Sequence, residues 1–430
     1  MRVIDLRKGG YTALSEVLDG RKGLVSGDYW EIVKRIVEEV RENGDSALLK
    51  FTLEFDGIVQ PEEGLRVGKE EIEEAYAKVD GDFIGALEKA IKNIFEFHDS
   101  QREKSWFSNK QGIILGQIVN PIESVGVYVP GGTAAYPSSV LMNVIPAKVA
   151  GVKRVVMITP PGRRGIKPEV LVAADRAGAD EIYRVGGAQG IAALAYGTET
   201  IKPVDKIVGP GNIYVALAKK MVYGDVGIDM IAGPSEILII ADCSARPEFV
   251  AADMISQAEH DIMASSVLIT DSKQLAERVC VEINRQLDLL PRREIASKSL
   301  EDYGVIALAG SLKEACDIAN SIAPEHLELM VENPMELLGR IRNAGAIFMG
   351  EFSPEPLGDY FAGPNHVLPT GGTARFSSPL SVDQFVKKSS LVYYSREALE
   401  EAAGEVLKLA RVEGLDGHGR AVEVRFEDND

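Results

Sequence analysis

Between Ser124 and Gly350 the chain alternates short β-rich runs (VGVYV, RVVMI, EIYRV, KIV, EILIIA, SVLIT, YGVIALA, LELMV, AIFMG) with helical stretches. Runs that are apolar throughout, separated by stretches long enough to hold a helix, predict parallel βαβ units covered by helices on both faces. They fall on either side of Gly233-Pro234, which suggests two similar domains. Gly- and Pro-rich joints occur at Pro130 to Pro137, Pro160 to Pro168, Gly209 to Gly211 and Gly233-Pro234. The last two lie just before or after strand-like runs, where α/β proteins place ligands. Residues 1–120 read as mostly helical, because Trp30, Ile32, Val33, Ile36, Val37 and Val40 recur near a 3.6 period and Glu70 to Val79 and Phe83 to Phe97 repeat the pattern. After Gly350 the alternation stops. A long irregular segment follows, of a length more often functional than idle, and then one charged helix from Arg396 to Val412.

Composition narrows the function classes. A length of 430 residues, with 45% hydrophobic and 26% charged residues, suits a globular protein of two to four domains and excludes wholesale disorder. The net charge of −18 would repel a phosphate backbone, so nucleic acid is not an expected partner. Arg2, Asp5, Arg7 and Lys8 leave no room for a signal-peptide apolar segment, and no apolar run approaches a membrane span, so the expected location is the cytoplasm. Cys243, Cys280 and Cys316 form no Cys-x-x-Cys pair and read as buried free thiols.

The five histidines can be weighed singly. His98, beside Phe95 and Phe97, reads as structural. Gln257 and His260, spaced i, i+3 near the end of a helix, either share one metal or form a polar turn. Glu325 and His326 sit where a helix meets the next strand and offer two proton carriers, although such a pair is also frequent by chance. Asp359 and His418 complete an oxygen and nitrogen set that suits zinc or a similar divalent ion. The strand, Gly-Gly turn and helix around YVPGGTAAYPSS either present N–H groups to a phosphate or form a bare turn, since no G-x-G-x-x-G is present.

Taken together and in order, YVPGG, VGGAQ, GPGN, AGPSE, SQAEH, PEHL, GDY, GPNHVLPT and EGLDGH closely resemble the pattern of the histidinol dehydrogenase family. The resemblance implies oxidation of L-histidinol to L-histidine with two NAD through a bound aldehyde, the last step of histidine biosynthesis. It implies Gln257, His260, Asp359 and His418 as ligands of one zinc per subunit, and Glu325 and His326 as the catalytic pair. Ser235 and Glu413, with His326 and the zinc ligands, match substrate contacts; Tyr128, Gln189 and Asn212 match NAD contacts. His366 stands in the matching loop without an assigned step.

The implied fold is two similar, incomplete Rossmann-like parallel-sheet domains with a helical N-terminal region and a small C-terminal dimerisation segment. The expected division is residues 1–25 as an N-terminal segment, 26–127 with 236–381 as the larger domain, 128–235 as the NAD domain, and 382–430 reaching the partner of a homodimer with shared sites. The chemistry fits the residues. An imidazole can take the alcohol's proton as hydride leaves, and a carboxylate can activate the water that hydrates the aldehyde. Zinc either polarises the alcohol or anchors the substrate's nitrogens; the resemblance, with four protein ligands, favours the anchor. The rivals are a zinc hydrolase, which leaves the NAD positions unexplained, and a non-enzymatic relative. NADH formation with histidinol separates them.

Overall fold

The structure is a computed structural model, and it describes residues 1–9, 11–20, 27–57, 64–131, 135–162 and 165–427. In chain order the strands are β1 (Arg2–Asp5), β2 (Trp106–Lys110), β3 (Ile113–Pro121), β4 (Ser124–Tyr128), β5 (Arg154–Ile158), β6 (Glu181–Tyr183) and β7 (Lys206–Val208). They continue with β8 (Gly227–Ile228), β9 (Glu236–Ala241), β10 (Ser265–Thr270), β11 (Gly304–Leu308), β12 (His326–Met330), β13 (Ala346–Met349) and β14 (Val386–Tyr394). Every apolar run named from the sequence is among them.

The first compact unit, Met1–Gln101 with Ile122–Phe385, contains two all-parallel sheets. One is ordered β6-β5-β4-β7-β8 and the other β1-β11-β10-β9-β12-β13. Counting from β4 in the first and from β9 in the second, both run third, second, first, fourth, fifth strand; β1 is added at the edge of the second beside β11. The expected likeness of the two domains is therefore a shared strand order, that of an incomplete Rossmann sheet. In each, the switch point lies between the first and fourth strands: β4 beside β7, and β9 beside β12.

Local chemistry sets the helix limits. Pro168 and Pro247 occupy first-turn positions, Asn212 and Ser311 accept N-terminal N–H groups, and Gly151 and Gly178 end their helices in the left-handed conformation. The helices Gly27–Asp56, Gly187–Tyr196 and Ile213–Val222 pack on one face of the five-stranded sheet around Phe51, Ile191 and Leu194. The helices Gly81–Asp99, Pro137–Ala150 and Pro168–Ala177 cover the other around Ile94, Met142 and Met157. Residues 27–99, which the expected division groups with 236–381, thus supply cover for the sheet of 124–228.

One contact ties this module to the loop after β13. Pro146 has no N–H, so it leaves the Met142 carbonyl without its helical donor. Asn365 Nδ2 fills that place at 2.6 Å and also lies 3.4 Å from His98 Nε2. His98 is fully buried with Nδ1 2.8 Å from Gln101 Oε1, so its role here is the structural one read from the sequence.

The second unit is Arg102–Pro121 with the chain from Val386 onward. β3 pairs antiparallel with β2 and with β14, and the helices Arg396–Val412 and Asp416–Glu423 follow. Residues 1–120 are mostly helical, as the sequence reads, but they also hold three strands that it does not mark, β1, β2 and β3. β1 is short and at an edge, β2 is exposed along its length, and β3's main partner lies over 260 residues away, so no local period marks them. The thiols also differ from expectation, since Cys316 is buried, Cys280 half-buried and Cys243 exposed. No described helix is long and apolar enough to cross a membrane.

Candidate active site

Parallel register between β9 and β12 sets His326 beside Ile237, so Glu236 and Glu325 meet at the amino ends of both strands. The Glu236 N–H donates to Glu325 Oε2 at 2.8 Å, and His326 Nδ1–H donates to the Glu236 carbonyl at 3.0 Å. A carbonyl can only accept, so neutral His326 keeps its lone pair on Nε2. That atom is buried without a hydrogen-bond partner among the described residues, 3.8 Å from Asp359 Oδ1 and 3.9 Å from Glu355 Oε1. Ser235, one residue ahead of Glu236, fixes this end of β9 by accepting the Ser265 N–H at 3.0 Å.

Acid surrounds this imidazole. Burial pushes Glu325 up to about 8 against the pull of His326. Burial would lower His326, but Glu325, Asp359 and Glu355 outweigh it and raise the imidazole to about 10. Burial raises Glu355 to about 7, and Glu328 and Asp253 behind it are also raised by burial. Asp359 goes the other way: burial would raise it, yet His326, His366 and His260 around it hold its carboxyl below the usual range. A buried cluster with more carboxyls than imidazoles favours a cation.

The sequence-derived metal residues divide as follows. Gln257, on the helix Pro247–Ala258, is fully buried, and both its amide atoms lack a partner among the described residues. His260 follows in the next turn, where burial lowers its imidazole against the opposing pull of Asp359. Asp359 lies in a π-helical turn, Gly358–Ala362, within the segment read as irregular. His418 and Glu413 belong to the second unit and are both exposed, His418 on the helix Asp416–Glu423 and Glu413 at the C-terminal cap of Arg396–Val412. Ligand-type atoms of His326, Glu355 and Asp359 lie within 4.8 Å of one another. Glu355 was missed in the sequence. Its signal is the spacing to Asp359, four residues, which makes one face of a helical turn.

The expected NAD residues gather at the carboxyl ends of the five-stranded sheet. Tyr128 ends β4, Gln189 is buried in the first turn of Gly187–Tyr196, and Asn212 caps Ile213–Val222 by accepting from the Tyr214 and Val215 N–H groups at 3.1 and 3.2 Å. The turn before Asn212 needs its glycine: Gly209 has φ +112°, and a Cβ there would sit 2.1 Å from the Tyr128 carbonyl. A buried Lys219–Asp229 ion pair brackets it, with Lys219 donating to the Gly209 carbonyl at 2.9 Å and Asp229 accepting the Gly209 N–H at 2.8 Å. A cleft of about 1070 Å³ is lined by Asn212 from this side and by Gly233, Glu236 and Ser265 from the other. Residues 132–134 of the expected phosphate-presenting turn lie outside the described residues.

Two like-ordered parallel sheets, one holding buried acid and base groups and the other a glycine turn, define a two-module α/β enzyme. The family model for histidinol dehydrogenase matches residues 20–426. The chain is 58% identical over 426 residues to the histidinol dehydrogenase of Caldanaerobacter subterraneus subsp. tengcongensis, covering 99% of each chain. Against that of Bacillus subtilis it is 58% identical over 395 residues, 91% of this chain and 92% of the other. The crystal structure of histidinol dehydrogenase from Elizabethkingia anophelis superposes with a TM-score of 0.93 at 38% identity, covering 99% of this chain and 98% of that one. The chain belongs to the histidinol dehydrogenase family and is an oxidoreductase.

The Glu325–His326 pair is braced by a close approach. Gly345 donates to the Pro324 carbonyl at 2.9 Å, and a Cβ on it would meet the Glu325 carbonyl at 2.5 Å. Gly345→Ala must therefore displace Glu325 and His326. A shift of about 1 Å is expected to lower kcat by about 10²-fold. Turnover measured beside far-UV circular dichroism checks this, and a folded variant with native kcat would refute it.

Proposed function

We propose that this chain oxidises L-histidinol to L-histidine in two NAD-dependent steps through a bound aldehyde, as a cytoplasmic homodimer with one zinc per subunit. The observation that carries the reading is the buried Glu325–His326 pair, clamped by both backbone groups of Glu236. The ligand set is Gln257, His260, Asp359 and His418. Its fit is supported by the Gln257 amide, buried with no partner among the described residues, and by the surplus of buried carboxyls facing Asp359. Zinc bound there supplies an anchor for the substrate's imidazole and amino nitrogens and offsets the carboxylate charge.

The chain's own groups account for the proton transfers. With zinc bound to offset the carboxylates that raise it, His326 is neutral, and its Nε2 accepts the hydroxyl proton as the carbinol hydride passes to the first NAD. Glu325 takes a proton from the water that adds to the aldehyde carbon while His326 returns its proton to the carbonyl oxygen, and His326 then takes a hydroxyl proton of the hydrate as the remaining hydride passes to the second NAD. Tyr128, Gln189 and Asn212 hold the dinucleotide at the carboxyl ends of β4 and β7, and Ser235 and Glu413 contact the substrate.

The test is stoichiometry. Limiting histidinol with excess NAD should yield two NADH per histidinol, and metal analysis should find one zinc per chain. Chelation should abolish turnover and added zinc restore it. Because protons compete for the ligating imidazoles, zinc should loosen as pH falls below the free histidine value of ~6.5. A yield of one NADH, or full turnover by metal-free protein, would overturn the assignment.

A further inference from the structure

Glu328 stands in the middle of β12, a central strand whose five residues are all buried. A carboxyl is costly there unless it is bonded. Three placements explain it. Side chains two apart on a strand share a face, so Glu328 projects on the same side as His326. Its Oε1 accepts the Glu355 N–H at 3.0 Å, at the start of the turn that carries Asp359 four residues later. Asp253, which precedes Gln257 by one turn on the helix Pro247–Ala258, is buried close enough for its charge to act on the Glu328 carboxyl.

Two buried carboxyls can bond only through a proton held by one of them. Glu328 Oε2, the oxygen that the Glu355 N–H leaves unused, has no hydrogen-bond partner among the described residues, so only a shared proton can join it to Asp253. We propose that Glu328 is the positioning residue of the metal site: its carboxyl ties β12 at once to the helix bearing Gln257 and to the turn bearing Asp359, fixing the separation of these two ligands. Glu328 itself touches neither substrate nor metal. This rests on the zinc ligands proposed above, and it goes beyond them in assigning what holds them in place.

The experiment measures zinc release from the holoenzyme to a competing chelator, together with the visible spectrum of cobalt-substituted protein. Glu328→Leu keeps the strand apolar and removes both bonds. It should weaken zinc by the ~10–100-fold typical of lost outer-shell partners and shift the cobalt bands. Glu328→Gln can accept from the Glu355 N–H and donate to Asp253, so it should restore native affinity and spectrum. A role in folding alone would move the unfolding midpoint without moving the cobalt bands. If Glu328→Leu does not fold, Asp253→Ala breaks the same tie from the helix side and is read in the same assay. Native affinity in the folded Leu or Ala variant, or a Gln variant as weak as either, overturns the proposal. A native chain that binds no zinc overturns the metal reading, and the native control alone reveals that outcome.

Discussion

His326→Asn should slow the oxidation of histidinol and of histidinaldehyde alike, by the ~10²–10⁴-fold expected for loss of a general base. Glu325→Gln should spare the first oxidation more than the second. The asymmetry follows from the geometry. His326 presents its free Nε2 toward Asp359 and Glu355, while Glu325 bonds the Glu236 N–H through one oxygen and lies 3.7 Å from Nδ1 on the opposite edge of the ring. The two groups thus address different edges of the imidazole, as two separate proton transfers require. Single-turnover measurements with alcohol and with aldehyde distinguish the steps. Equal losses in both for Glu325→Gln would contradict the division of labour.

A mixed dimer should recover activity that neither parent has. His260→Asn and His418→Asn are each expected to be inactive as homodimers, because each removes a zinc ligand. If His418 completes the neighbouring chain's site, combining the two variants puts both substitutions in one site and none in the other. About half the native activity per dimer should then return, with independent sites. The apolar surface of the C-terminal helix supports an association: Val406, Leu409 and Val412 are exposed, Leu409 at 65%, whereas Ala410 is covered within its own unit. No recovery in a verified heterodimer would reject the shared site.

Much of the first unit is legible in the sequence because its signals are local. Parallel strands buried on both faces must be apolar throughout, and that pattern alone locates the strands of both switch points. The helix from Arg396 to Val412 is bounded correctly by its own residues, since Ser395 caps its start by accepting the Ala398 N–H and a 3.6 period runs between the ends. Adjacency makes Glu325 and His326 visible as a pair. The Gly209 turn is visible through the glycine itself, which the nearby Tyr128 carbonyl makes obligatory.

Other features depend on residues that only folding brings together. Position along a strand does not say where a side chain is held: α/β sheets commonly bind ligands at their carboxyl ends, yet Glu325 and His326 are fixed at the amino end of β12 because Glu236 on β9 bonds both there. β14 carries no helical or alternating signature, and its pairing with β3 spans most of the chain. Glu355, Glu328 and Asp253 come from a turn, a strand and a helix far apart in sequence. Nothing local distinguishes them from solvated carboxylates; burial against one another raises all three. The order and type of the elements and the chemistry of the reacting pair are written in the chain itself, since propensity and residue type act within a few positions. Which carboxyls lose water and face His326 is set by the packing of distant elements, because desolvation and charge coupling depend on distance through space.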